Sequence, residues 1–271
     1  MKSFSLFILL SLLIFILCNE GPLQYPEPPE GWKEGDCQSL LSQSPIDIPP
    51  DYDKTVVLDN GDKAKIISLD YSKITKAKVK FDNGHKWTTE ELDAGNLKIK
   101  IDGKNYNYKL HSIHFHLYSE HRFQNTQYPM EMHMVHKNMD KSDKSNENLV
   151  IGVLFDYKNN KKNNFLESMK FAKEKQIKSA DIKSIITKDD RFYYYKGGLT
   201  TVPCTENVNW IVFKDIRDFS YEQFKDLRDW VQKSGPKFYG TGYGNARGPK
   251  PINDRKIYLE NDNEDDYNSD M

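Results

Sequence analysis

The chain is predicted to be mainly β (α+β): a single domain built on a large central, mostly antiparallel twisted sheet with a few short surface helices. Three observations predict this. From about residue 45 to 118, short runs of alternating or β-branched residues are separated by turn signals, the spacing of antiparallel strands and hairpins. Only two segments, 163–178 and 220–233, carry apolar residues at helical spacing. With 271 residues and 37% apolar content, one large core can use nearly the whole chain.

Residues 1–18 (MKSFSLFILLSLLIFILC) join a positive Lys2 to an unbroken apolar or serine run from Phe4 to Leu17, which reads as a secretory signal peptide. That run falls short of the roughly 20 residues needed to cross a bilayer, and no later stretch is long enough. The expectation is a protein secreted or held in the secretory lumen, with no membrane span once the signal is removed. Residues 19–259 are expected to form the folded domain. Its first stretch, 19–36, is rich in Pro, Gly and Glu, so it should lie irregularly over the surface with Trp32 pinning it. Ala77, Val79 and Phe81 alternate up to Asp82-Asn83-Gly84, a two-residue hairpin turn that puts His85 at the start of the returning strand. Phe165, Met169 and Ala172 mark one face of the first helix. Phe224, Leu227 and Val231 mark one face of the second, which Ser220 and Gln223 open as a capping box. Residues 260–271 (ENDNEDDYNSDM) carry six acids and almost no apolar content, the composition of a disordered tail.

The 39 basic and 40 acidic residues leave a formal charge of −1, which offers no footprint for a nucleic acid or an anionic membrane. Cys18 ends the presumed signal, so Cys37 and Cys204 are the thiols of the mature chain. In an oxidising compartment they are expected to pair; two separate buried thiols are the alternative.

All seven histidines, 85, 111, 114, 116, 121, 133 and 136, fall within one fifth of the chain. In HSIHFHL the neighbours Ile113, Phe115 and Leu117 are apolar, so on a strand His114 and His116 share the opposite face. In MEMHMVHKN the residues Glu131, His133 and Val135 share a face, and about sixteen residues between the segments allow an antiparallel return. Three imidazoles can then meet across neighbouring strands. Such a set leaves a fourth tetrahedral position for water, which is how a catalytic zinc site differs from a closed structural one. His111, His121 and His136 are assigned hydrogen-bonded structural roles. Glu131 is placed to accept from the second nitrogen of a ligating histidine, and a role as an ordinary cross-strand partner is the alternative.

These residues resemble the alpha-carbonic-anhydrase family in several stretches that agree in order and spacing. SQSPIDI (42–48), NGH (83–85), HFHL (114–117), SEH (119–121), EMHMVHKN (131–138), IGVLF (151–155), GLTTVPCTENVNWIV (198–212) and SYEQF (220–224) match family motifs, and GNARGPKPINDR (244–255) matches more loosely. The resemblance implies a zinc lyase that hydrates carbon dioxide, a small molecule, reversibly to bicarbonate and a proton; the chain is separately expected to be a monomer. It implies Zn2+ on His114, His116 and His133, with zinc hydroxide as nucleophile, Thr200 beside it and Glu120 accepting the threonine proton. His85 matches the proton-shuttle position. Val135, Val150, Leu199, Val208 and Trp210 match the apolar wall of the substrate pocket, whose polar side Thr201 completes, and Asn245 offers a backbone acceptor to His116. The chain departs from the family pattern at Ser112, where a glutamine usually holds the first zinc histidine. It departs again at Thr88, Leu117 and Lys137, and Tyr25 is the candidate for a tyrosine of the water network. A scaffold protein of the same fold and a zinc hydrolase of another fold are the rivals; no HExxH helix or serine nucleophile elbow is present for the latter.

Overall fold

Alternate side chains of the central strands enter two separate clusters, which gives this protein a sheet with two unlike faces. The computed structural model describes residues 31–59, 63–75, 77–82, 86–89, 92–169, 176–177, 179–234 and 244–260. The expected signal segment, the Asn83-Gly84 turn, His85, Tyr25 and the tail beyond Glu260 lie outside the described residues. In chain order come β1 (Asp47–Ile48), β2 (Val56–Asp59), β3 (Ala64–Tyr71), β4 (Ala77–Asp82), β5 (Lys86–Thr89), β6 (Gly95–Ile101) and β7 (Lys104–His116). Next are β8 (Arg122–Phe123), β9 (Thr126–Gln127), β10 (Met130–Asn138) and β11 (Asn148–Asp156). The remainder is helix α1 (Asn164–Met169), β12 (Gln176–Ile177), β13 (Phe192–Gly198), β14 (Glu206–Phe213), β15 (Arg217–Asp218), helix α2 (Tyr221–Ser234) and β16 (Ile257–Glu260).

The main path of the sheet is β12-β4-β5-β7-β10-β11-β14-β13-β16-β2, with β6 and β3 extending from β7. Most pairs are antiparallel, as the alternation predicts. The β11–β14 and β16–β2 pairs are parallel, because long excursions rather than hairpins bring those strands together.

Met130, Met132 and Met134 of β10 point into the larger core with Ile113 and Phe115 of β7 and Leu149, Ile151 and Val153 of β11. Each such side chain contributes about 1.5–3 kcal/mol by leaving water. The opposite face carries a smaller cluster, including Val150, Leu154, Val208, Trp210 and Val212. Residues 131, 133 and 135 therefore stand among the second set.

Two expectations are corrected here. The first helix is α1, Asn164–Met169, and does not reach 178: Gln176 and Ile177 pair as a strand with Lys78 and Ala77, burying Ile177. Glu260, assigned to the tail, ends β16 opposite Asp59. The second helix has the expected cap: Ser220 Oγ accepts from Gln223 N–H at 3.3 Å, and Gln223 Oε1 accepts from Ser220 N–H at 3.1 Å. Trp32 is buried beside the Cys37–Cys204 disulfide, which ties the N-terminal arm to the segment after β13. Gly35 N-terminal to that bridge and Asp36 N–H, which donates to Pro203 O at 2.8 Å, bring the arm flush against the same segment.

On the larger face, His136 is wholly buried; its Nδ1–H donates to Met134 O at 2.9 Å and its Nε2 accepts from the Tyr71 hydroxyl at 2.8 Å. Burial disfavours its cation and lowers its pKa to about 4. The unfolded chain takes this proton near pH 6.5 and the folded chain does not, so the stability it preserves is complete above pH 6.5 and is lost as pH falls toward 4. The loss is on the order of 3 kcal/mol. Denaturant titrations at pH 7 and pH 4.5 should show a smaller stability gap for His136→Gln than for the parent chain. An equal gap would exclude His136 as a source of acid sensitivity.

Candidate metal centre

Strand pairing places three imidazoles together. His133 lies opposite His114 in the β7–β10 ladder, and His116 follows two residues along on the same face. The ring centroids are 5.0 Å apart for His114–His116 and for His114–His133, and 4.7 Å for His116–His133. One nitrogen from each lies within 4.8 Å of the others, and all three residues are buried.

What the remaining ring nitrogens do decides which nitrogen each histidine presents. His133 Nε2–H donates to Glu131 Oε1 at 2.8 Å, which leaves Nδ1 toward the cluster, 3.2 Å from His114 Nε2. His116 Nδ1–H donates to the Asn245 carbonyl at 3.2 Å and lies 3.3 Å from Glu120 Oε1, so His116 offers Nε2. Asn245 is held by its own side chain, whose Oδ1 accepts from Leu117 N–H at 2.7 Å. The preceding Gly244 has φ +66, and a Cβ there would strike the Leu117 carbonyl.

Glu131 is the anchor. Its Oε2 accepts from the N–H groups of Glu120 and His121, each at 2.8 Å, and its Oε1 accepts from His121 Nδ1 at 2.7 Å as well as from His133. Burial opposes its charge, yet His121 and His133 hold the carboxyl well below the usual carboxylate range. The carboxylate sits over Gly152, where a Cβ would come within 2.8 Å of Oε1. His121, Glu131 and His133 also converge closely enough to hold a metal, but Glu131 already spends its acceptor capacity on four N–H groups. The fit therefore falls on the three imidazoles, a neutral nitrogen donor set suited to zinc, copper or cobalt.

A hydrogen-bonded line continues from Glu131. Because His121 donates through Nδ1, its Nε2 accepts from the Tyr195 hydroxyl at 2.7 Å. The Tyr195 oxygen accepts from Ser44 Oγ–H at 2.8 Å, and Ser44 Oγ accepts from Gly198 N–H at 3.2 Å. Tyr195 and Ser44 escaped the sequence reading. The alternation of FYYYK could have put Tyr195 on the site face, but its partners come from residues 74 and 151 positions away.

Glu120 is buried; its Oε1 accepts from Arg247 N–H at 2.9 Å, and the Thr200 hydroxyl faces it. Burial pushes this carboxyl up to about 8, against the Thr200 and Arg247 donors that favour its charge, and the nearby Glu131 adds to the rise. Arg247 is buried as well, its guanidinium donating to Gln43 Oε1 and Ser44 O and stacking 5.1 Å from the Trp32 ring centre.

Around the imidazoles, Val135, Val150, Leu199, Val208 and Trp210 belong to the smaller apolar cluster. The Trp210 ring lies 4.9 Å from His133, and its Nε1–H donates to Gly198 O. Thr200 is buried and Thr201 half-buried, with the Thr201 carbonyl accepting from Cys204 N–H. Thr88 pairs opposite His114, while its hydroxyl donates to Thr89 O. Leu117 is buried in the larger core, and Lys137 reaches Glu147 at the rim. Ser112 is half-buried opposite Val135, and its hydroxyl makes no hydrogen bond among the described residues. His121 and His136 are hydrogen-bonded through both ring nitrogens. His111 departs from expectation, since its ring makes no hydrogen bond among the described residues.

If Glu131 orients His133 as described, Glu131→Ala should weaken zinc binding by roughly 10–100-fold. Competition against a chromophoric chelator reads this directly, and unchanged affinity would reject that role.

Comparison with known proteins agrees with this geometry. The eukaryotic-type carbonic anhydrase family model matches residues 27–261. Alpha carbonic anhydrase 3 of Arabidopsis thaliana is 33% identical over 82% of this chain and 76% of its own length. Alpha carbonic anhydrase 8 of the same plant is 30% identical over 89% of this chain, which spans only 58% of that relative. A carbonic anhydrase of Chlamydomonas reinhardtii, solved in complex with acetazolamide, superposes with a TM-score of 0.66 at 26% identity, over 88% of this chain and 98% of that one.

Proposed function

Since the chain belongs to the eukaryotic-type carbonic anhydrase family, we propose that it hydrates carbon dioxide reversibly to bicarbonate and a proton, at a zinc ion held by His114, His116 and His133. The observation that carries this reading is the convergence of three buried imidazole nitrogens, two of them turned inward by Glu131 and Asn245. When bound, zinc supplies a Lewis acid that lowers the pKa of water to about 7, a general property of carbonic anhydrases rather than a value specific to this chain.

The protein's own residues select direction and exclude competitors. With the Glu120 carboxylate accepting its proton, the Thr200 hydroxyl can only accept, so a nucleophile bound there must point its own O–H at threonine and its lone pair toward the pocket. A dication nearby favours the charged carboxylate and so counters the burial that raises Glu120. The wall of Val135, Val150, Leu199, Val208 and Trp210 suits an apolar triatomic substrate and offers no partner to a charged one. The Thr200 N–H and Thr201 provide polar contacts on the other side. Each turnover releases a proton, and His85 is the imidazole we assign to carry it out.

The 1–18 segment and the Cys37–Cys204 disulfide, a bond that persists in oxidising compartments, support entry into the secretory route. Among the described residues no helix is long and apolar enough to cross a membrane.

Stopped-flow hydration by the purified chain and by His133→Ala, with the metal content of both, tests the reading. The variant should lose zinc and nearly all activity, and Thr200→Val should keep zinc while slowing hydration by roughly 10²-fold. Parent protein that holds zinc yet hydrates no faster than His133→Ala would point to a scaffold role.

A further inference from the structure

Face parity breaks within β7, and the residue it displaces is a histidine that the chemistry above does not use. Val135 of β10 pairs with Ser112, while the next residue, His136, pairs with Leu110. His111 is therefore the extra residue of a β-bulge. Leu110 and Ile113 on either side are fully buried in the larger core. His111 and Ser112 are left together on the opposite face, which carries His114, His116 and Val135. Both are only half-buried, as are Val135, Leu199, Thr201 and Val202, so solvent reaches these positions.

Among the described residues the side chain is uncommitted. Histidines kept for structure are tethered here: His121 and His136 each engage both ring nitrogens. Among the described residues the His111 ring makes no hydrogen bond, ion pair or ring contact; its carbonyl accepts from Leu92 N–H at 2.8 Å. Inward, it neighbours Ser112 and Val135. Outward on the same face, Lys109 and Lys137 stand opposite each other, neutralised by Asp93 at 3.0 Å and Glu147 at 3.4 Å. From β5 and the segment before β6, the described residues packed nearby are Thr89 and Leu92, which are uncharged, and Asp93. Among the described residues no carboxylate lies within ion-pair distance of the ring.

We propose that His111 is a second proton-transfer group for carbon dioxide hydration, beside the one assigned to His85. The inference rests on the proposed function. Hydration of one carbon dioxide by one water gives bicarbonate and one proton. A neutral imidazole takes that proton on one nitrogen, gives it to buffer and returns to neutral, with no oxidation or reduction. His111 stands three residues before His114 with the bulge between them, a span of at most about 10 Å that bridging water can relay. An imidazole is the side chain whose charge changes near neutral pH, which suits it to both steps.

The test uses the full zinc-loaded chain with His111→Ala, His85→Ala and the double variant. In the His85→Ala background, losing His111 should lower kcat at low buffer by roughly tenfold. It should leave kcat/KM and zinc content unchanged, with recovery on adding imidazole. Unchanged kcat at low buffer, or a parallel fall in kcat and kcat/KM, would overturn the inference. If the parent protein does not hydrate carbon dioxide at all, the function proposed above fails first and takes this inference with it.

Discussion

A single carboxylate, Glu131, accepts four N–H groups in a place that water does not reach, and the surrounding arrangement depends on it. Two of those donors are backbone groups at Glu120 and His121, so the carboxylate fixes the turn that aims Glu120 at Thr200. The other two belong to His121 and His133, so it also sets the tautomers of two imidazoles. A neutral partner in its place could not satisfy four donors, and an unmet donor at this depth costs about 1–3 kcal/mol. The cost of burying the charge is offset because every acceptor position is filled.

From that carboxylate the constraint spreads in two directions. Through His121, Tyr195 and Ser44 it reaches Gly198, immediately before the segment that bears Leu199, Thr200 and Thr201. Through Glu120 it reaches Arg247, whose side chain anchors to Gln43, Ser44 and Trp32. The disulfide then fastens Trp32's arm to the same 199–205 segment. Polar groups from four distant parts of the chain thus close on one another around the imidazoles. Such networks are satisfied together or not at all, which favours one arrangement over many.

The two faces of the sheet divide the labour. The larger core supplies stability with little polar content near the central strands, while the opposite face mixes imidazoles and carboxylates with an apolar wall. A bulge at His111–Ser112 lets β7 serve both, because an inserted residue reverses which side chains face which way. Upstream of it, Tyr108 and Leu110 fill the same core as Ile113 and Phe115, although an unbroken strand would send them to opposite faces.

How much of this was readable in advance depends on the range of the interaction. The pairing of His114 with His116, the alignment of His133 with Glu131, the antiparallel bias of the sheet and the Ser220–Gln223 cap follow from spacings of two or three residues, where backbone geometry dictates side-chain direction. The length of the first helix did not follow, because Ile177 gains more by burial in a strand beside Ala77 than by extending a local periodicity. The bulge was invisible for a similar reason, since only the partner strand reveals an extra residue. The sequence by itself determined the fold class and the donor chemistry, through alternation and residue type. Only the tertiary structure decided which nitrogen each histidine presents, that Tyr195, Ser44 and Arg247 support the site, and that a bulge turns His111 to the same face of the sheet. Those outcomes rest on contacts between residues far apart in the chain, whose register and hydrogen-bond direction no local pattern contains.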